Sequence, residues 1–185
     1  MIKALVFLAT GFEEIEAVTI VDILRRGNIA VTTAGITPNP IEGAHKLKII
    51  PDKYVEEIFA QEFDAIICPG GAPGYKNLRI DSRVIHIIKN AYNQNKLVAA
   101  ICAAPAVLSD AGILENKKCT IYPGMENELI KGKGKPKPDN VVVDGRIVTS
   151  KGPATALEFA LKLVEMLSGK HVADSVAKQV LANYK

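Results

Sequence analysis

The sequence predicts an α/β protein with a mostly parallel central sheet, helices on both faces and a small β-hairpin. Three observations carry that prediction. Apolar runs alternate with segments of helical periodicity almost from end to end, the mark of repeated strand–helix–strand units. The first run, "IKALVFLA" (2–9), is nearly continuous rather than alternating, as a central parallel strand buried on both faces requires. Near the C-terminal part, Asp144-Gly145 inside "VVVDGRIVTS" (141–150) is a two-residue hairpin signal.

In chain order, the strand at 2–9 is followed by "EEIEAVTIVDILRRG" (13–27). There Ile15, Val18, Val21 and either Ile23 or Leu24 recur at helical spacing, two arginines occupy the last turn and Gly27 stops the helix. "IAVTTAGI" (29–36) reads as a second strand and "KLKII" (46–50) as a short third. "YVEEIFA" (54–60) reads as a short helix. "DAIICPGG" (64–71) is a strand running into a glycine turn. "SRVIHIIKNAYNQNK" (82–96) is a helix for which Ser82 is the candidate cap. The strand "LVAAI" (97–101) precedes a helix that begins at Pro105. "KCTIY" (118–122) is a further strand, "ATALEFALKLVEMLSG" (154–169) an amphipathic helix ending at Gly169, and the tail from His171 to Tyr184 helical. No repeat, low-complexity segment or linker interrupts residues 1–185, so the chain reads as one domain.

Composition excludes several classes. The net charge is +3, and no basic stripe interleaves with aromatics, so no nucleic-acid footprint is expected. "IKGKGKPKP" (130–138) is the densest basic stretch, and its Gly and Pro content reads as a solvated loop. No apolar run reaches the ~18 residues of a membrane span. "MIKALVFLATGFEE" lacks a small-residue cleavage pattern and reads as a strand rather than a signal peptide. Three cysteines without metal-ligand spacing fit reduced thiols in a cytoplasm and no metal site.

In sheets of this kind ligands bind beyond the carboxyl ends of the strands. Three such ends converge here: Ala9–Glu16, Pro69–Gly74 and Cys102–Pro105. A nucleotide binder would carry a phosphate-wrapping Gly/Ser/Thr loop after the first strand. This chain carries "ATGFEEIE", and Glu13, Glu14 and Glu16 would repel a phosphate, so no nucleotide cofactor is expected. Glu13 and Glu14 read as acids dressing a helix start. Glu16, one turn further in, has two readings: a partly exposed helix residue, or a buried carboxyl whose pKa is raised by desolvation.

Cys102 stands where a buried strand turns into a helix. Ala103 and Ala104 suit a sharp turn, and Pro105 suits a first helical turn because it lacks an N–H to satisfy. Free amides at a helix start lower a thiol's pKa, which makes Cys102 a candidate nucleophile on an elbow; the alternative is a small buried hydrophobe. Cys68 and Cys119 read as core. In "CPGGAPG" (68–74) the N–H groups of Gly70 and Gly71, with Pro73 nearby, form either an oxyanion site or a plain tight turn.

Taken together, "GFEEIEAV", "CPGGAPGYKNL", "AAICAAPAVL" and "TSKGPATALEFALKLVE" closely resemble the ThiJ/PfpI superfamily, in its parkinsonism-associated deglycase and YajL branch. The resemblance runs from Lys3 to about Val180. It implies a flavodoxin-like three-layer α/β sandwich, a homodimer and a site without a cofactor. It implies Cys102 as nucleophile, Glu16 as the protonated carboxyl bonded to its sulfur, and the N–H groups of Gly71 and Ala103 as oxyanion donors. Glu13 becomes a helix-start acid facing a dimer neighbour. Arg26 and His45 fall at basic positions near the subunit interface, His45 in place of a family arginine.

Two departures matter. The peptidase branch has a histidine directly after its cysteine, where this chain has Ala103, which disfavours a peptidase. Where the deglycase branch often brings a histidine toward the thiol, this chain has Tyr122; His86 and His171 are not natural substitutes. The implied function is a cysteine-dependent stress-response protein acting on small 2-oxoaldehydes, such as methylglyoxal, or on their protein and thiol adducts. The alternative is a chaperone that uses Cys102 as an oxidation switch.

Overall fold

The computed structural model describes residues 1–38 and 40–184. Strand β1 (Lys3–Leu8) leads to helix α1 (Glu14–Arg26) and strand β2 (Ala30–Gly35). There follow β3 (Ile41–Glu42), β4 (Lys48–Ile49), β5 (Lys53–Tyr54) and two 3₁₀ turns (Val55–Glu57, Ala60–Glu62). Next come β6 (Ala65–Cys68), α2 (Gly74–Ile80), α3 (Ser82–Asn93), β7 (Leu97–Ile101), α4 (Pro105–Asp110) and β8 (Lys118–Cys119). The chain ends with α5 (Glu126–Lys131), β9 (Lys135–Pro136), β10 (Val141–Asp144), β11 (Ile147–Ser150), α6 (Ala156–Ser168) and α7 (Lys170–Gln179).

The main sheet has the order β10-β11-β7-β6-β1-β2-β5. Its neighbours run parallel except the β10–β11 hairpin, which turns at Gly145-Arg146, one residue later than the Asp144-Gly145 dipeptide predicts, because Asp144 still pairs with Ile147 and Gly145 takes the left-handed φ of 63°. Alternate residues of the central strands feed two separate cores. Ala4, Val6, Ile67 and Ala99 face α1, α6 and α7 with Ile20, Phe159 and Val176. Leu5, Phe7, Ile66 and Val98 face α2 to α5 with Leu78, Ile88, Val107 and Leu129. Each fully buried Val, Leu, Ile or Phe among them stabilises the fold by about 1.5–3 kcal/mol. This is the flavodoxin-like α/β sandwich that the sequence predicts. Cys68 and Cys119 are buried core residues. No helix among the described residues is long and apolar enough to cross a membrane.

Several local expectations need correction. "KLKII" does not join the main sheet. Only Lys48–Ile49 is strand, paired antiparallel with β3 in a separate hairpin, because the turn at 43–46 and Pro51 leave no room for more. Residues 54–60 form no α-helix. Glu57 accepts the Tyr54 N–H at 2.8 Å and fixes a 3₁₀ turn instead, in a segment of aromatic and β-branched residues with little α-preference. Asp81, not Ser82, caps α3. The strand at 118–122 shortens to β8. The basic stretch 130–138, read as a loop, begins in α5 and contains β9, which pairs with β8. Helix α2 carried no periodic signal strong enough to be anticipated.

Candidate active site

β1 sits between β2, its sequence neighbour, and β6, reached by a crossover. The chain reverses its winding there, and the resulting crevice at the carboxyl ends of β1 and β6 is where such sheets bind ligands. β7, next to β6, ends at Ile101, so Cys102 emerges beside that crevice.

Cys102 has φ 62°, in the left-handed region a non-glycine residue occupies only when its surroundings enforce it. Neighbouring backbone does so. The Cys102 N–H donates to Ser150 O at 2.9 Å, Tyr122 N–H donates to Cys102 O at 2.9 Å, and Ala104 N–H donates to Ile101 O at 3.0 Å. The elbow turns the thiol out of the strand, leaving the residue 9% exposed while Cys68 and Cys119 are fully covered.

Glu16 reaches this thiol from the first turn of α1. It is fully buried, and its Oε2 accepts the Gly70 N–H at 2.8 Å. Oε1 is buried with no well-formed hydrogen bond; the carboxyl's remaining contact is a weaker side-chain hydrogen bond with the Cys102 sulfur. The N–H groups of Ala103 and Gly71 are directed at the same sulfur. Gly70 and Gly71 must be glycines for this to happen. A Cβ on Gly70 would lie 2.7 Å from Cys102 Cβ and 2.9 Å from Glu16 Oε2, whereas Gly71 combines φ 98° with a position 2.3 Å from the Glu13 nitrogen.

The protonation states follow from burial. Desolvation pushes Glu16 up to about 7 against the Gly70 amide, and Glu13 adds to the rise. Burial also pushes the Cys102 thiol up, to about 12, with the Glu16 carboxylate contributing. The Ala103 and Gly71 amides pull the other way and lose. This reverses the lowering expected of a thiol at a helix start, because α4 is only six residues long and the site is largely dry. The sulfur and the carboxyl repel as anions, so they share a proton: the sulfur is an anion only when Glu16 holds that proton.

The other candidates divide. Gly70 is not an oxyanion donor, since its N–H is committed to Glu16. Pro73 packs on Gly11, where a Cβ would meet its Cδ at 2.4 Å. Tyr122 touches the elbow through its backbone, and its ring, 48% exposed, lies toward Gly152. Arg26 cannot line the thiol site within this chain: it sits at the opposite end of α1, ion-paired to Asp22 at 2.8 Å. His45 N–H and Nδ1 bind Glu14 at 2.6 and 3.0 Å, and Glu13 Oε2 is 3.7 Å from that ring. The Glu14 contact, more than Glu13, raises the His45 pKa. These three residues are the one group among the described residues whose ligand atoms lie within 4.8 Å of one another in a way that suits a metal. His45 already occupies both Glu14 oxygens. His86 is bonded to Asn90 and His171 lies on α7, so neither serves the thiol. Sequence reasoning missed Ser150, whose carbonyl and neighbouring strand hold the elbow; nothing local in "TS" before Lys151 reveals that role.

A cysteine on a strand-to-helix elbow of a parallel α/β sheet, facing a buried glutamate and two free amides, defines a class of α/β thiol proteins. Comparison with known proteins makes this specific. A family model described as the DJ-1/PfpI family matches residues 2–166, and the chain belongs to that family. Protein dj-1beta of Drosophila melanogaster is 38% identical over 183 residues, 98% of each chain, and the crystal structure of Drosophila melanogaster DJ-1beta superposes with a TM-score of 0.93 over 99% of both chains. Glutathione-independent glyoxalase DJR-1.2 of Caenorhabditis elegans is 38% identical over 166 residues, 90% of this chain and 88% of the relative. Oxidised DJ-1 of Toxoplasma gondii superposes with a TM-score of 0.92 at 37% identity, over all of both chains.

Proposed function

We propose that the protein converts small 2-oxoaldehydes to hydroxy acids, methylglyoxal to lactate, and acts on the adducts these aldehydes form with protein amines and thiols. The observation that carries the reading is the convergence of Glu16 and the Gly71 and Ala103 amides on one sulfur. A relative named as a glutathione-independent glyoxalase supports it. Proton transfer from Cys102 to Glu16 creates the nucleophile. The sulfur attacks the aldehyde carbon, and the amides stabilise the resulting oxyanion as a hemithioacetal forms. Glu16 returns its proton to that oxyanion and, again a carboxylate, takes the proton from the same carbon and delivers it to the neighbouring carbon through an enediol. The aldehyde carbon is thereby oxidised and the ketone carbon reduced, with no external oxidant. Water cleaves the thioester, releasing lactate and restoring the thiol. Lactate formation by the wild type and its loss in Cys102→Ala are the expected results; equal rates, or none from either, remove the proposal.

A second reading has its own support. Cys102 is the least buried of the three thiols, and the Glu16 Oε1 left without a well-formed bond could donate its proton to a sulfinate oxygen. Cys102 is then an oxidation switch for a stress-responsive chaperone. Intact-mass and peptide analysis after graded peroxide tests it: oxidation of Cys68 or Cys119 ahead of Cys102 counts against it.

In either reading the protein acts as a homodimer in a reducing cytoplasm. A cleft of about 320 Å³ between α1 and the β3–β4 hairpin, lined by Ala17, Val18, Ile49 and Ile50, supports the dimer, since it leaves apolar surface open to a second copy.

A further inference from the structure

Three backbone segments meet at Cys102, and each leads into a short helix. Residues 70–74 supply the Gly70 and Gly71 amides and start α2, whose first turn is bonded back by Tyr75 N–H to Gly71 O at 2.9 Å. The elbow itself starts α4. Residues 122–125 hold the Cys102 carbonyl and continue into α5 through Met125 N–H to Tyr122 O at 3.0 Å and Glu128 N–H to Met125 O at 2.9 Å.

Away from the thiol, these three helices are joined by one guanidinium. Arg79, in the last turn of α2, donates Nε and Nη2 to Asp110, the last residue of α4, at 2.6 and 3.0 Å. The same Nη2 donates to Glu128 of α5 at 3.0 Å. The Arg79 side chain is only 25% exposed, and the fork-to-carboxylate geometry is directional, unlike that of an ordinary surface ion pair. Ser109 Oγ adds a second tie between α4 and α5 by donating to Glu128 O at 2.7 Å, and Lys131 holds the other Glu128 oxygen at 2.7 Å. No second polar tie of this kind joins α2 to α4 among the described residues. Their remaining contact is apolar, through the core that Leu78 and Val107 share.

We infer that Arg79 is a positioning residue for the Cys102 site. By fixing α2 against α4 and α5, it sets where the Gly71 amide and the elbow stand relative to one another. The helices are short and act as stiff levers, so a shift at the clamped ends is transmitted to the sulfur. Misplacement of reacting groups by about 1 Å costs up to about 100-fold in rate. A partial loosening through Arg79 therefore lowers Cys102 reactivity by about 10-fold. The inference rests on Cys102 being the reactive thiol and is independent of what the thiol acts on.

The test measures the rate of Cys102 alkylation by iodoacetamide across pH, with the site of modification assigned by mass spectrometry, in the full chain. Variants are Arg79→Met, Arg79→Lys and Asp110→Asn, with circular dichroism and Tm recorded for each. The expected result is a displaced pH profile and an about 10-fold slower reaction near neutral pH in Arg79→Met, partly restored in Arg79→Lys, which keeps charge without the fork. Asp110→Asn, which keeps the shape of the partner, gives the same direction and serves as the readout if Arg79→Met does not fold. A folded Arg79→Met or Asp110→Asn whose alkylation profile superimposes on the wild type while Tm falls overturns the inference. Alkylation needs no aldehyde chemistry, so a protein that makes no lactate still gives a decisive result.

Discussion

Glu16 is buried beside the Cys102 thiol, and its ionisation works against the fold. Its folded-state pKa of about 7 lies above its ordinary value of 4.5. Between those two values the folded chain keeps a proton that the unfolded chain has released, so stability falls as pH rises through that window and the full cost is present above it. The cost is about 3 kcal/mol, from 1.36 kcal/mol per pKa unit. Glu16→Gln cannot ionise and keeps the group's shape. Urea unfolding at roughly pH 5 and pH 8 is expected to show the fall in the wild type and its absence in Glu16→Gln. The same slope in both proteins means that Glu16 is not the group being titrated. The two residues that matter most were only partly legible locally. Glu16 by itself reads more readily as a partly exposed helix residue, because an isolated acid in an amphipathic helix carries no sign of what will pack over it. Cys102 was marked more strongly, since Pro105 and the alanines already indicate an elbow. What made both specific was the coincidence of distant motifs, which resemblance detects and periodicity does not.

At the scale of elements, long segments with one clear period came out at nearly their predicted bounds: β1, α1, α3 and α6 shift by a residue or a few. Short ones did not. Residues 46–50 and 54–60 are both too short for the period to outvote turns and neighbouring strands, and their identity was decided by pairing with β3 and by the Glu57 contact. The start of α3 makes the difference testable. Asp81 accepts the Arg83 N–H at 2.9 Å and so satisfies a helix-start donor that Ser82, inside the helix, does not. Asp81→Ala is expected to cost about 1 kcal/mol in denaturant unfolding. Ser82→Ala is expected to change stability by less than about 0.5 kcal/mol. The opposite ranking moves the cap to Ser82.

For the molecule as a whole, α1 is both a wall of the site and a face of the surface. Glu16 points inward from it while Ile15 and Val18 point out, and Ile50 on the adjoining segment is 74% exposed. The proposed dimer places a second copy over this face, so Ile50→Glu is expected to shift the protein toward monomer in size-exclusion chromatography with light scattering. An unchanged mass places the interface elsewhere. Sequence alone determined the alternation of strands and helices, the parallel sheet with one hairpin, the buried character of Cys68 and Cys119 and the position of the elbow, because these follow from residue-by-residue periodicity and backbone preference. Tertiary structure alone decided that the Gly70 amide serves Glu16 rather than substrate, that burial overcomes the helix-start amides at the thiol, that Arg26 lies far from the site, and that Arg79 joins three helices. Each of these depends on which atoms a fold brings within 3 Å or so of one another, and hydrogen-bond and desolvation energies at that range leave no trace in local pattern.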